Sequence, residues 1–109
     1  MKSVLYLVRR PPGPLADETT DLMLVSGVFE QATAVVFVDD GVLQLAGLDA
    51  RQSPLKALPT YEVESLYADG ESLAERGISL DAVAPLAVTS IGPPALRQLI
   101  ASHDIVLTD

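Results

Sequence analysis

The stretch Ala34-Val35-Val36-Phe37-Val38-Asp39-Asp40-Gly41 decides the fold. Its five apolar residues run without polar alternation, which suits a strand of a parallel sheet with both faces covered by helices. The acidic pair and the glycine that stop the run open a loop at the carboxyl end of that strand. Upstream, Val4-Leu5-Tyr6-Leu7-Val8 is a second such run; downstream, Leu86-Ala87-Val88-Thr89 and Ile105-Val106-Leu107-Thr108 are two more. A fifth segment, Tyr61 to Tyr67, differs because Glu62 and Glu64 alternate with Tyr61, Val63 and Ser65. Read as a strand, it turns one face to water or to a partner; a loop-like reading stays open beside it.

Helical patterning fills the spaces between the runs. Ala16 to Gln31 carries Leu22, Val25, Phe29 and Ala32 at helical spacing, and Asp17, Glu18 and Asp21 near its start complement the helix dipole. Gly27 inside this helix costs about 1 kcal/mol relative to alanine, which marks close packing against a strand. Gly41 to Ala46 reads as a short helix and Ser53 to Leu58 as a short turn. Glu71 to Arg76 reads as another helix with Gly77 as its stop, and a last helix begins near Pro93 or Pro94 and runs to Ser102. This alternation predicts an α/β architecture: one mainly parallel five-stranded sheet with helices on both faces, strand order left open. With no repeat, low-complexity tract or internal linker, residues 1–109 read as a single domain.

At 109 residues the chain can bury roughly two thirds of its unfolded surface, enough for a core without disulfide or metal staples. It has 15 acidic against 7 basic side chains, a formal net charge of −8, and no cysteine. The missing cysteines exclude a disulfide scaffold, a thiol nucleophile, a cysteine-based zinc site and a persulfide carried on this chain. A single histidine, His103, excludes a multi-histidine metal site. The acidic balance argues against direct nucleic-acid binding, which needs Lys and Arg to replace condensed counterions. Lys2, Arg9, Arg10, Arg51 and Lys56 lie in the first 56 positions and only Arg76 and Arg97 follow, so the second half presents an acidic surface. The run Val4 to Val8 is too short for a signal-peptide core, and no apolar stretch approaches the roughly 20 residues of a membrane helix. The expectation is a cytoplasmic protein without membrane contact.

Hydrophobic residues make up 49% of the chain and charged ones 20%, so a small globule is left with apolar surface to expose. The expected places are Val42, Leu43, Leu45 and Leu48 after the second strand, with the alternating third strand as a second candidate. A patch there is expected to form an interface and to let the isolated chain form a homo-oligomer.

In an open α/β sheet the ligand crevice lies beyond the carboxyl ends of the strands, which points to the loops starting at Arg9, Asp39, Tyr67, Thr89 and Thr108. The first reads Arg9-Arg10-Pro11-Pro12-Gly13-Pro14, and its three prolines lack the N–H groups that cradle phosphate. With no glycine-rich fingerprint or P-loop elsewhere, nucleotide binding is disfavoured. Arg9 and Arg10 read either as a solvated pair on a rigid loop or as receivers of an acidic partner. Asp39 and Asp40 could hold Mg²⁺ or transfer protons, or could cap the short helix near Gly41. A phosphate-accepting receiver site is disfavoured, because no lysine occurs beyond Lys56. His103, before Asp104 at the end of the last helix, reads as structural, since no nucleophile elbow is present. Glu71 and Glu75 read as a solvated acidic face, and Tyr61 as packing or interface. Asp39, Asp40, Gly41, Val42, Leu43, Leu45 and Tyr67 form the candidate interface or ligand crevice; no catalytic, cofactor or metal residue is assigned.

Five pieces carry a resemblance over nearly the whole length: Lys2 to Arg9, Asp17 to Gln31, Val36-Phe37-Val38-Asp39-Asp40-Gly41-Val42-Leu43-Gln44-Leu45, Ser72-Leu73-Ala74-Glu75-Arg76-Gly77-Ile78, and His103-Asp104-Ile105-Val106-Leu107. In their order and spacing the chain resembles the DsrE/DsrF-like sulfur-relay family, and within it the TusC/DsrF-type subunit. The resemblance implies a three-layer α/β/α domain in a hetero-oligomer with related DsrE/DsrF-like subunits. Such assemblies pass persulfide sulfur for 2-thiouridine formation in tRNA or, in sulfur-oxidising bacteria, for dissimilatory sulfur metabolism. The sulfur-carrying cysteine of the catalytic relative follows the third strand, whereas this chain reads Tyr67-Ala68-Asp69-Gly70 there. The expected function is therefore a non-catalytic subunit of a sulfurtransferase complex serving tRNA thiolation, with no cofactor. Two other readings stay open: a stand-alone small-ligand module at Asp39 and Asp40, and a metal-assisted enzyme using those carboxylates with His103.

Overall fold

A computed structural model describes residues 2–28 and 32–109. The apolar runs form strands β1 (Ser3–Val8), β2 (Ala32–Phe37), β3 (Ser65–Asp69), β4 (Val88–Ile91) and β5 (Ile105–Thr108). They pair in the order β4-β3-β2-β1-β5, every neighbouring pair parallel. Helices α1 (Pro14–Val28), α2 (Gly70–Glu75) and α3 (Pro93–Ser102) connect them, with short 3₁₀ segments at Asp39–Leu45, Leu48–Ala50, Pro54–Ala57, Pro59–Tyr61 and Leu80–Ala82. From β1 to β4 the chain steps one way across the sheet; the last crossover then reverses to place β5 beside β1. Because parallel crossovers are right-handed, a reversal of direction moves the connecting helix to the other face. The packing follows that rule and gives three layers.

On one face Val4, Tyr6, Val8, Val35, Phe37, Leu66 and Ala68 meet Met23 of α1, Leu73 of α2, and Val42, Leu45, Leu48, Leu55, Leu58 and Val63 from the 3₁₀ region. On the other face Leu5, Ala34 and Val36 are buried, packed by Leu96 and Leu99 of α3 together with Leu7, Tyr67 and Ile91. The expected mainly parallel sheet with helices on both faces is thus observed, with its core concentrated on the α1 side. Phe37, Leu5 and Met23 are each fully enclosed, and each such side chain contributes on the order of 1.5–3 kcal/mol of transfer free energy.

Several boundaries differ from the sequence reading. The third strand does not begin at Tyr61. Pro59 starts a 3₁₀ turn that ends at Tyr61, and Glu62 closes it in the left-handed region with φ 66°. The Glu62/Glu64 alternation therefore belongs to a loop, and β3 extends instead to Asp69. Leu86 is likewise buried before its strand starts, its N–H donating to Val83 O at 2.9 Å, so β4 begins at Val88. Ala32, counted with the first helix by its spacing, is the first residue of β2 and lies opposite Ser3. The expected helix end at Phe29 to Gln31 falls outside the described residues. No helix among the described residues is long and apolar enough to cross a membrane.

Two local devices fix the frame. Gly27 packs not against a strand but against the 3₁₀ turn below it: a Cβ there would lie 2.1 Å from Tyr61 O and 2.9 Å from Val63 Cγ2. At the amino edge of the sheet, Asp104 Oδ2 accepts from Ser3 N–H at 2.8 Å and Ser3 Oγ–H at 3.2 Å, while Asp104 N–H donates back to Ser3 Oγ at 3.0 Å. This reciprocal clasp sets the β1–β5 register. Its hydrogen bonds, first the one from the Ser3 backbone, hold the Asp104 carboxyl below its ordinary pKa.

Two predictions result. Gly27→Ala gains helix propensity but collides with backbone, so it should destabilise the fold by about 1–3 kcal/mol, read as a lower urea midpoint. For Asp104 the native pKa lies below the unfolded one, so its contribution is present when the carboxyl is ionised and is lost as pH falls through the depressed native value. Asp104→Ala should therefore be less stable than the parent at neutral pH, with the gap in urea midpoint narrowing as the solution is acidified; a gap that does not change with pH refutes the clasp as an ionised acceptor.

Candidate functional site

The sequence-selected segment Asp39-Asp40-Gly41 does lie where an open α/β sheet places ligands, just past the carboxyl end of β2. Its position is fixed by β1. Val8 O accepts the Val38 N–H at 2.9 Å, and Gly41 passes so close that a Cβ would sit 1.9 Å from Val8 O. Only glycine fits there. The turn tightens further through Gly41 N–H, which donates to Val38 O at 2.8 Å, and it sets Asp39 at φ 50°.

The two carboxylates point to different partners. Arg9 Nε meets Asp39 Oδ2 at 3.3 Å, and Arg76 reaches Asp40 Oδ1 through Nε at 3.2 Å and Nη2 at 3.0 Å. Both pairs are largely solvated on the acidic side, so each contributes on the order of 0–1 kcal/mol. Beneath them lies a more enclosed link. Ser72, buried in the first turn of α2, donates its Oγ–H to Asp69 Oδ2 at 2.6 Å and its N–H to the same oxygen at 3.1 Å. Ser72 Oγ in turn accepts the Asp39 N–H at 3.0 Å. Asp69 thus caps α2, Ser72 joins that cap to the β2 loop, and Arg76 closes the ring by donating to Ser72 O at 3.3 Å. At the far end of α2, Ile78 N–H to Leu73 O and Gly77 N–H to Ala74 O, at 3.0 and 3.2 Å, complete the glycine stop expected from sequence.

Other expectations are corrected. Val42, Leu45 and Leu48 are fully buried and Leu43 half-buried, so this segment is core and not an exposed apolar patch. The reason lies in the 3₁₀ segment Asp39–Leu45, which turns Val42 and Leu45 down onto the β1, β2 and β3 side chains. Tyr67 packs on the opposite, α3 side of the sheet, so the structure does not unite it with Val42 and Leu45. Neither Asp39 nor Asp40 caps the segment: Val38 holds the cap position without a side-chain bond. His103 lies at the amino edge before β5, where Nδ1–H donates to Leu99 O at 2.7 Å. The parallel sheet therefore holds His103 and the Asp39-Asp40 pair at opposite ends, and the two cannot share a metal or a proton. Among the described residues no group of three or more His, Cys, Asp or Glu is placed to hold a metal ion.

Sequence reasoning missed Arg76, Ser72 and Asp69. Asp69 and Ser72 stand three apart at a helix start, a capping signature visible in the sequence; the Arg76–Asp40 pair, 36 residues apart, leaves no local signal. Gln44, also unassigned, is buried and donates through Nε2 to Arg10 O at 2.9 Å, while Arg51 holds Gln44 O and, at 3.0 Å, Ala46 O. These bonds seat the proline-containing loop after β1. The whole constellation is one of carboxylates bound to arginines and of a hydroxyl bound to backbone and carboxylate; the one hydroxyl beside a carboxylate in it, Ser72 on Asp69, is buried and also accepts the Asp39 N–H. Ser72→Ala should leave the part-buried Asp39 N–H without its acceptor and Asp69 without one donor, lowering stability by about 1 kcal/mol in urea unfolding.

The DsrE/DsrF-like family model matches residues 2–108. A Protein TusC homolog from Pseudomonas aeruginosa is 38% identical over 117 aligned positions, covering 98% of both chains. The intracellular sulfur oxidation protein DsrF of Allochromatium vinosum is 35% identical over 97 positions, covering 80% of this chain and 71% of its own. In fold, the crystal structure of the ychN protein from E. coli matches 100% of both chains with a TM-score of 0.82 at 20% identity. With the family model spanning nearly every residue and an end-to-end relative well above 30% identity, the chain belongs to the DsrE/DsrF-like family.

Proposed function

We propose that this chain works as a single domain, as a non-catalytic subunit of a sulfur-relay complex that supports persulfide transfer for 2-thiouridine formation in tRNA. The observation that carries the reading is the absence of any cysteine in 109 residues. Sulfane sulfur moves between proteins on thiolates, so a chain without one must act through what it positions. The turn after β3 supports the same view: where the resemblance puts the sulfur carrier of a catalytic relative, Asp69 is committed to capping α2 through Ser72. The end-to-end match to the TusC homolog, against partial coverage of the sulfur-oxidation protein DsrF, supports the TusC-type assignment and with it the tRNA pathway. The DsrF relative's name describes an intracellular protein, in keeping with action inside the cell. Its partners on this reading are related DsrE/DsrF-like subunits.

The purified chain alone should transfer persulfide to an acceptor thiol at the rate of a no-protein control, and its deletion in the source organism should lower 2-thiouridine in hydrolysed tRNA measured by mass spectrometry. Turnover by the isolated chain refutes the non-catalytic role. Unchanged 2-thiouridine with impaired sulfur oxidation reassigns the pathway.

A further inference from the structure

Helix α1 buries one side and leaves on another three apolar side chains in water, with Glu18 among them. Leu15, Leu22 and Val25 are 58%, 59% and 52% exposed, and their spacing of seven and three puts them on one stripe. The stripe continues onto the sheet: Tyr6, Thr19, Leu22, Leu107, Thr108 and Asp109 line a groove between α1 and β5. Leu107 is 44% exposed there, and among the described residues β5 pairs only with β1, leaving its outer edge open, with no charged residue from Ile105 to Thr108. Natural sheets normally blunt such an edge with charge, proline or a covering element.

The charge around this stripe has one sign. Asp17, Glu18 and Asp21 stand exposed on α1, which has no Lys or Arg between Pro14 and Val28. None of the three forms an ion pair among the described residues. At the end of the groove Asp109 Oδ1 accepts the Arg9 N–H at 2.7 Å, but Oδ2 is enclosed without a hydrogen-bond partner among the described residues.

We infer that the outer side of α1 and the adjoining edge of β5 form a docking surface for a protein partner that presents an apolar ridge bordered by lysine or arginine. A second copy of this chain does not fit, because a two-fold contact through α1 would set each copy's Asp17, Glu18 and Asp21 against the same three residues, with a net charge of −8 on each side. Nucleic acid and anionic lipid are repelled on the same ground. The inference deepens the subunit reading above and rests on it.

The test is co-expression with the related DsrE/DsrF-like subunits of the source organism, followed by native mass spectrometry and a binding titration at two salt concentrations. The double variants Leu22→Ser/Val25→Ser and Glu18→Lys/Asp21→Lys change only exposed positions, and Gln98→Lys on α3 is the control. The parent and the control should assemble, more weakly at the higher salt; both double variants should lose about tenfold or more in affinity while keeping the parent's circular dichroism and thermal midpoint. Both doubles binding like the parent overturns the docking surface and leaves the subunit reading standing. Failure of the parent to assemble with any related subunit overturns both, and assembly of the chain only with itself overturns the partner chemistry.

Discussion

The molecule depends on strand β1 being enclosed between two parallel neighbours. Val4, Leu5, Tyr6 and Val8 are all buried, and they contact the hydrophobic layers on both faces of the sheet. The strand's last carbonyl, Val8 O, then does a second task by accepting the Val38 N–H and lying against Gly41. The loop after β2 thus inherits its position from β1. Once that loop is fixed, Val42 and Leu45 have nowhere to go but the core, and the Asp39 N–H is aimed at Ser72. Packing and polar geometry at the carboxyl edge are consequences of the same close approach.

Much of this was legible in the sequence, and the parts that were not share a cause. Continuous apolar runs announced β1 and β2, because a strand covered on both faces cannot tolerate polar alternation, and a like run announced β5 although that edge strand is largely exposed. The prolines at 93 and 94 and the Gly77 stop announced helix ends for similarly local reasons. The third strand was misplaced because an alternating Glu-x-Glu pattern is also what a chain of short turns produces, and only the left-handed Glu62 separates the two. The burial of Val42, Leu45 and Leu48 was hidden because a 3₁₀ segment lacks the long periodicity that declares an amphipathic helix. At the candidate site, the acids could be read from the chain but not their arginines: Arg9 and Arg76 come from 30 and 36 residues away. Whether two adjacent carboxylates are a dyad or two separate ion pairs is decided by such long-range neighbours alone.

The site therefore keeps the architecture of an α/β ligand edge while filling it with structural interactions. Topology places loops from β1, β2 and β3 together; their polar groups then bind one another. In a family whose members include a sulfur-oxidation protein and a TusC homolog, this chain has no cysteine and keeps the parallel α/β scaffold, with Leu15, Leu22 and Val25 exposed on α1.

The Ser3–Asp104 clasp joins residues 101 positions apart, whereas β1 meets β2 across 29, as Ser3 lies opposite Ala32. By loop-closure entropy the β5 pairing costs about 1 kcal/mol more than the β2 pairing before any contact rewards it. During synthesis β1 can dock on β2 early but keeps its other edge unpaired until β5 has emerged from the ribosome. A strand that the finished fold buries thus spends its nascent life as an open edge, and the clasp is the latch that ends this exposure. The protein's vulnerable period is in its birth, and the demand for chaperoning falls on the interval between the emergence of β1 and the arrival of β5.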